Sequence, residues 1–176
     1  MPVMIDLETL GTQETSAILS IGAAQFLYTG EILTTFKRNI TLNSNLELER
    51  TTDSETLAWW SRQSPEAKLG LVDPSPIDAR VAAQDFCDWY PSRPTEIWTN
   101  GASFDFPIIK NFMEVPWQFW QEMCLRPIKF IGDNLNHPYP KKVAHDALED
   151  VLAQVKYLTE VLNFIEQARL DKPNKV

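Results

Sequence analysis

The chain has 176 residues, of which 44% are hydrophobic and 23% are charged, and this is the composition of an ordinary globular protein with one core. Acidic residues outnumber basic ones by 24 to 16, and the net charge of −8 argues against a basic surface that grips a phosphate backbone without help. The two cysteines, Cys87 and Cys124, lack CxxC spacing and histidine neighbours, which argues against a disulfide scaffold or a zinc knuckle.

The N-terminus has no basic leader, and carboxylates interrupt it where a signal peptide needs an apolar stretch. No apolar run approaches the ~18 residues of a membrane span. We therefore expect a soluble, cytoplasmic protein with no membrane partner. We expect one domain over residues 1–170 and a polar tail at residues 171–176.

The alternation of side chains from Val3 to Glu8 predicts a strand with one apolar face. Asp6 and Glu8 are two residues apart, so they point the same way at the C-terminal end of this strand, where Gly11 breaks the pattern. They would present two oxygen ligands side by side. A solvated strand end is an equally simple interpretation of this pair taken alone.

Two further strands are predicted at residues 17–28 and 32–41, with a turn at residues 29–31 between them. Because the turn is short, these strands are expected to run antiparallel. The first three strands of the chain should therefore follow one another in antiparallel succession.

A polar connection over residues 42–51 leads into a predicted helix. Thr52 as N-cap and Glu55 three residues later form a capping-box pattern at its start. Pro65 favours either a kink or a second helical start with Ser64 as its cap.

Adjacent Trp59 and Trp60 cannot share one face of this helix, because neighbouring residues lie about 100° apart around its axis. One indole is expected in the core. Internal packing of both rings is the favoured interpretation, and exposure of the second ring for stacking on a nucleic-acid base is the alternative.

The middle of the chain predicts further alternation of helix and strand. Apolar residues at helical intervals predict an amphipathic helix over residues 75–91, and residues 117–131 predict a short strand followed by a helix. Residues 132–142 predict a loop. Lys141 and Lys142 near its end are placed where cations could meet phosphates, although a solvated loop explains them equally well.

Asp105 lies where a strand gives way to a helix. Residues 96–101 predict a short strand and turn, and residues 104–109 predict a helix with Pro107 in its first turn. The positive end of a helix favours a carboxylate at this place, so helix N-capping is an alternative role for Asp105.

His145 and Asp150 stand at the start of a helix predicted from about Ala144 to Ala168. On a regular helix, residues five apart are separated by about 140°. Asp146 followed by Glu149 is a capping-box pattern, which makes Asp146 the N-cap and puts His145 and Asp150 at N′ and N4. A hydrophobic staple brings these two positions together, so Asp150 rather than Asp146 is the predicted catalytic carboxylate.

Four carboxylates gathered in one pocket, Asp6, Glu8, Asp105 and Asp150, would remain ionised together only with cations between them. Oxygen ligands of this kind suit Mg²⁺ or Mn²⁺. Two such ions ~3.5–4 Å apart support in-line displacement at a phosphodiester. His145 is a suitable general base for the attacking water, because an unperturbed imidazole has a pKa of about 6.5.

Three motifs in this order resemble those of the DEDDh 3′–5′ exonucleases: Asp6-x-Glu8, Asn100-x-x-x-Phe104-Asp105 and His145-x-x-x-x-Asp150. The helix with Trp59-Trp60 is similar to one in the phage exonuclease A and bacterial exoribonuclease branch. The resemblance implies an α/β, ribonuclease H-like fold. Its mixed central sheet combines three antiparallel N-terminal strands with parallel strands and carries helices on both faces.

The resemblance also implies the roles of individual residues. Asp6, Glu8, Asp105 and Asp150 would bind two Mg²⁺ or Mn²⁺ ions, and His145 would be the base. The substrate-binding residues expected with this site are Thr9, Leu10, Asn100, Phe104, Trp59 and Trp60.

The predicted activity is hydrolysis of phosphodiester bonds from the 3′ end of single-stranded nucleic acid or 3′ overhangs, with release of nucleoside monophosphates. The polymer can be RNA or DNA, because recognition of a 2′-hydroxyl depends on pocket shape. Similar exonucleases commonly form homodimers, although no stretch identifies an interface. The alternatives are a non-catalytic nucleic-acid-binding module on this fold and a His-Asp metal phosphohydrolase, for which only His137 remains as a further histidine ligand.

Overall fold

A computed structural model describes residues 1–69, 75–139 and 145–171 of the chain. Lys141, Lys142 and most of the predicted polar tail lie outside the described residues. Among the helices that are described, none combines the length and the apolarity needed to cross a membrane.

The described residues form a five-stranded mixed sheet of order β3-β2-β1-β4-β5. The strands are β1 (Val3–Thr9), β2 (Ile18–Phe26), β3 (Ile32–Asn39), β4 (Ile97–Thr99) and β5 (Glu122–Cys124). The first three strands pair antiparallel, whereas β4 runs parallel to both β1 and β5. The predicted mixed sheet is therefore confirmed.

Seven α-helices occur within the described residues, together with a 3-10 turn at Phe119–Gln121. They are α1 (Leu42–Glu47), α2 (Ser54–Ser61), α3 (Pro65–Leu69), α4 (Ala79–Trp89), α5 (Ala102–Phe112), α6 (Arg126–Asn134) and α7 (Ala147–Leu170). Helices α4 and α5 supply the core on one face of the sheet, and α7 supplies the core on the other. Helices thus cover both faces, as the sequence predicts.

Side chains of β1 alternate between these two cores. Val3 and Ile5 pack with α4 and α5, whereas Met4 packs against α7. Because side chains two apart share a face of a strand, Asp6 and Glu8 are directed to the same side as Met4. The period of two therefore delivers both carboxylates to the start of α7.

Helix α7 begins in close contact with β2 at Gly22. A Cβ atom on this residue would overlap the backbone of Ala147 and Leu148, so only glycine lets the helix approach this closely. Gly22 also pairs with Asp6 across the antiparallel register. The first turn of α7 is consequently held beside the first carboxylate of β1.

The start of α2 differs by one residue from the prediction. Asp53, and not Thr52, is the N-cap, because its carboxylate accepts the N–H of Thr56 at 2.7 Å. The second helical start is confirmed at Pro65, where the Ser64 hydroxyl accepts the N–H of Ala67 at 3.2 Å.

Two predicted irregular segments contain helix. Residues 42–51 include α1, whose N-cap Thr41 accepts the N–H of Ser44 at 3.3 Å. Helix α6 continues to Asn134, inside the predicted loop at residues 132–142. Both predictions were wrong. For residues 42–51, the prediction gave more weight to polar composition than to the capping residue Thr41. For residues 132–142, it gave more weight to the Asn and Pro content than to helical spacing.

Candidate active site

The five residues predicted to act together meet where β1 ends and α5 and α7 begin. They line one cleft of about 290 Å³. The cleft residues predicted from the sequence are Asp6, Glu8, Asn100, Phe104, Asp105, His145 and Asp150. The three motifs, which are far apart in the chain, therefore converge on one site.

Asp6 is partly buried on β1 and accepts a hydrogen bond from α7. The Gln154 side-chain amide donates to its carboxylate at 2.8 Å. Burial raises the pKa of Asp6 well above its ordinary value, and the neighbouring carboxylates of Asp105 and Glu8 raise it further. Binding of a proton or of a metal cation to the Asp6 carboxylate is therefore strongly favoured.

Glu8 is buried next to the start of α7. Burial raises the pKa of its carboxyl to about 8, and repulsion from Asp150, Asp146 and Asp105 adds to the effect. Lys37 acts in the opposite direction but does not offset it. Glu8 therefore belongs to a site whose negative charge is uncompensated by protein groups.

Asp105 is the fourth residue of α5, which begins at Ala102 rather than within the predicted range of residues 104–109. Gly101 is the N-cap, and Pro107 lies beyond the first turn. The capping alternative for Asp105 is thus wrong. The helix begins earlier than predicted because its start carries no side-chain cap for sequence rules to detect.

The Asp105 carboxylate points into the cleft and accepts a short hydrogen bond from the Thr99 hydroxyl. Burial raises the pKa of Asp105 to about 6, although the Thr99 hydroxyl, the Gly101 backbone and the Arg126 charge lower it. Asp105 is therefore held ready as an oxygen ligand that ionises near neutral pH.

The start of α7 follows the predicted capping geometry. Asp146 is the N-cap, and its carboxylate accepts the N–H groups of Leu148 at 3.1 Å and Glu149 at 3.2 Å. The helix begins at Ala147, three residues after the predicted start. Lys37 of β3 also contacts the Asp146 carboxylate, at 2.5 Å, which the sequence did not indicate.

Because Asp146 is occupied in capping α7, His145 and Asp150 are the residues that face β1. One oxygen each of Glu8 and Asp150 and one ring nitrogen of His145 lie within 4.8 Å of one another. This spacing is compatible with a shared divalent cation. It is equally compatible with two oxygen ligands beside a free imidazole, and the carboxylates Asp6 and Asp105 add further oxygens to the same cleft.

Trp59 and Trp60 both reach His145. Trp60 is 7% exposed and donates its ring N–H to the backbone oxygen of Thr9 at 2.9 Å, whereas Trp59 is 38% exposed. The ring centroid of Trp59 lies 4.8 Å from the imidazole centroid and that of Trp60 lies 5.6 Å from it, and both indole planes are nearly perpendicular to the imidazole. One indole is buried and the other exposed, which matches the alternative and not the favoured internal packing of both rings, and both indoles pack on the histidine.

A second groove of about 500 Å³ adjoins the cleft and shares Leu7, Glu8 and Phe104 with it. Thr9, Trp59 and Trp60 also line this groove. Leu10, by contrast, is buried among Ala17 and Trp60 and lines neither cavity.

Besides Leu7 and Gly101, three polar side chains of the cleft were not predicted from the sequence: Arg126, Tyr139 and Gln154. Gln154 follows Asp150 by four residues, so helical spacing could have placed it on the same face of α7. Arg126 and Tyr139 come from segments with no motif, and only tertiary packing brings them here.

One wall of the cleft is cationic. Arg126 is the one Lys or Arg among the described residues that line it. One turn farther along α6, the Lys129 ammonium donates to the Asn100 side chain at 3.2 Å and lies 3.5 Å from the centre of the Tyr139 ring. His137, the other histidine, packs instead on Phe164 and is absent from the described lining of the cleft.

Comparison with known proteins gives a family. The 3′–5′ exoribonuclease Rv2179c-like domain matches residues 1–162. The exodeoxyribonuclease of Enterobacteria phage T4 is 26% identical, over 92% of this chain and 88% of that protein.

Solved structures agree on the fold. The nuclease domain of 3′hExo, a DEDDh family member bound to rAMP, superposes with a TM-score of 0.59 at 12% identity, covering 93% of this chain and 92% of that one. E. coli exonuclease I in complex with a dT13 oligonucleotide gives a TM-score of 0.64 at 13% identity. In that case the match covers 96% of this chain but only 42% of the other. The predicted ribonuclease H-like architecture is thereby confirmed.

Proposed function

The chain belongs to the family of 3′–5′ exoribonuclease Rv2179c-like domains, and from this premise we propose that its five-residue cleft hydrolyses the terminal phosphodiester at a 3′ end. The observation that carries the proposal is the convergence of Asp6, Glu8, Asp105, Asp150 and His145 on one cleft. A non-catalytic binding module would have no use for carboxylates where a phosphate must sit.

The four carboxylates would hold two Mg²⁺ or Mn²⁺ ions. The raised pKa values of Asp6, Glu8 and Asp105 support this assignment, because each reflects negative charge that burial leaves unscreened. When bound there, such ions would supply positive charge for the phosphoryl oxygens and would lower the pKa of the attacking water. Gln154 holds the Asp6 carboxylate in one orientation through the 2.8 Å hydrogen bond.

His145 accepts the proton of the attacking water. Burial lowers the pKa of its imidazole, so the ring is neutral and able to take a proton at physiological pH. Water oxygen forms the new bond to phosphorus while the bond to the 3′ oxygen of the preceding nucleotide breaks. The products are a nucleoside 5′-monophosphate and a strand that is shorter by one nucleotide.

The cleft and the adjoining groove together accommodate the last nucleotides of a single strand. Phe104 lies between the two cavities, and Thr9 and Trp59 line the groove, where bases can stack. Arg126 lines the same cleft and its charge acts on Asp105, so its guanidinium would be available to a phosphate oxygen bound beside the metal ligands.

RNA and DNA are both candidate substrates, and one comparison supports each of them. The family is described as exoribonucleases, whereas the phage relative is an exodeoxyribonuclease. An assay with matched RNA and DNA oligonucleotides of one sequence therefore belongs in the first experiment.

The experiment uses 5′-labelled single strands with Mg²⁺ or Mn²⁺. Shortening from the 3′ end is expected, and Asp150→Asn or His145→Ala should reduce the rate at least 100-fold, as expected for loss of a ligand or a base. Asp146→Asn is the matched control on the same helix start, because asparagine also caps well and should preserve activity. Undiminished digestion by Asp150→Asn, or shortening from the 5′ end, would contradict the proposal.

Compartment and assembly are further inferences. Cys87 and Cys124, both within the described ranges, form no disulfide, which supports a reducing, cytoplasmic location. Homodimerisation stays a prediction from the family resemblance, and light scattering on the purified protein measures it directly.

A further inference from the structure

The imidazole of His145 is held by aromatic rings. Its centroid lies 4.8 Å from that of Trp59 and 5.6 Å from that of Trp60, with interplanar angles of 77° and 78°. The same imidazole has one ring nitrogen within 4.8 Å of carboxylate oxygens of Glu8 and Asp150. Packing against the two indoles therefore restricts the orientation of a ring that borders the carboxylates.

The two indoles are themselves tied to the strand that carries the carboxylates. Trp60 donates its ring N–H to the Thr9 backbone oxygen, one residue after Glu8. Trp59 packs edge-on against Trp60 with centroids 5.0 Å apart. The Asp53 N–H donates to the Leu10 backbone oxygen at 2.9 Å, which joins the start of α2 to the same segment.

We propose that Trp59 is a positioning residue that aims the His145 imidazole into the cleft, with Trp60 as its fixed support. This inference rests on the proposed role of His145 as the base. Edge-to-face packing restricts the tilt of the imidazole, and a base that tilts away from the water loses rate without losing affinity for the strand.

Trp59 has a second contact that makes the inference more specific. It lines the groove of about 500 Å³ that adjoins the cleft, and it is 38% exposed. A nucleotide in the groove and the imidazole of His145 therefore contact the same indole. Trp59 thereby couples occupancy of the groove to the aim of the base.

The rival role is simple base stacking by Trp59. Stacking contributes to binding, so its loss raises KM and leaves kcat nearly unchanged. Positioning acts on the reacting geometry, so its loss lowers kcat with little change in KM. Steady-state kinetics on a short single strand separates the two.

We expect Trp59→Ala to lower kcat by about tenfold, in addition to the rise in KM that loss of the groove contact causes. Trp59→Phe retains a ring at the same place and should recover most of the rate. Leu57→Ala is the matched control, because Leu57 is an exposed apolar residue of the same helix and is absent from the lining of both cavities. A thermal midpoint equal to that of the wild type shows that each variant is folded.

The decisive measurement is a double-mutant cycle with His145→Ala. If Trp59 acts through the imidazole, Trp59→Ala should lower kcat no further once His145 is alanine. An equal loss in both backgrounds, or a rise in KM alone, overturns the inference. An inactive wild-type protein would instead count against the proposed function, so the two failures are distinguishable.

Discussion

Glu8 lies at the end of a central strand, and its carboxylate neighbours set its proton affinity. Burial and the surrounding acids raise its pKa to about 8 from an ordinary value of 4.5. A carboxyl whose pKa is raised by folding binds more protons in the folded state. Its contribution to stability is therefore present at low pH and is lost as the pH rises from about 4.5 to about 8.

A divalent ion must displace these protons, so metal binding should depend on pH in the same window. We expect Mn²⁺ to raise the thermal midpoint more at pH 8 than at pH 6. The apparent affinity for Mn²⁺ should increase by up to about tenfold per pH unit for each proton displaced. Thermal unfolding with and without Mn²⁺ at both pH values measures this. Glu8→Gln should weaken metal binding and flatten its pH dependence, whereas equal stabilisation at both pH values would exclude a protonated ligand.

At the scale of elements, the site depends on where α7 starts. The N-terminus of α7 carries Asp150 and is flanked by His145, and it rests on Gly22 of β2 without an intervening Cβ. Gly22 lies within the stretch of β2 that pairs with β1 on one side and with β3 on the other, so its backbone is held by two neighbouring strands. Any side chain at residue 22 must therefore move the helix rather than the strand.

Gly22→Ala tests this dependence. The added methyl overlaps backbone and not a flexible side chain, so we expect destabilisation of about 1–3 kcal/mol together with a large loss of activity. Gly101→Ala is the matched control for stability. Its Cβ would lie 3.1 Å from the mobile end of Arg126, so its midpoint in denaturant unfolding should stay close to that of the wild type. An active, stable Gly22→Ala variant would show that α7 is not anchored at this contact.

Elements with local signals were predicted from the sequence, and elements positioned by packing were not. The period of two in β1 and the capping of α7 by Asp146 are both properties of a few consecutive residues, and both are confirmed. The start of α5 at Gly101 has no side-chain cap, so nothing local marks it.

The same distinction applies to the site. Motif residues come with fixed spacing, which is why the cleft contains all five predicted catalytic residues. Arg126 and Tyr139 reach it from α6 and the following segment, whose position depends on tertiary packing. The contact of both indoles with His145 was also not predictable, because it joins residues more than 80 positions apart.

At the scale of the whole molecule, charge limits how the protein holds a strand. The net charge is −8, and within the described ranges few cations lie at or near the cleft and the adjoining groove: Arg126 and Lys129 on α6, Lys37 on β3, and Arg62 in the groove. Binding beyond the last nucleotides should therefore be weak and sensitive to salt.

We accordingly expect distributive digestion, with dissociation after one or a few cleavages. Adding excess unlabelled strand once the reaction has begun should stop the shortening of labelled strands, because released enzyme is captured by the competitor. A gel that still shows complete digestion under these conditions would mean that another surface retains the strand.

The order of the strands in the sheet also bears on the order in which parts of the protein unfold. Strand β1 lies in the middle, and Val3 and Met4 pair with both neighbouring strands, so the amides of this part are expected to exchange with solvent only when the sheet as a whole separates. Asp6 and Glu8 follow on the same strand and remain paired with β2. A molecule that has lost its peripheral helices would still keep two of the four carboxylates side by side.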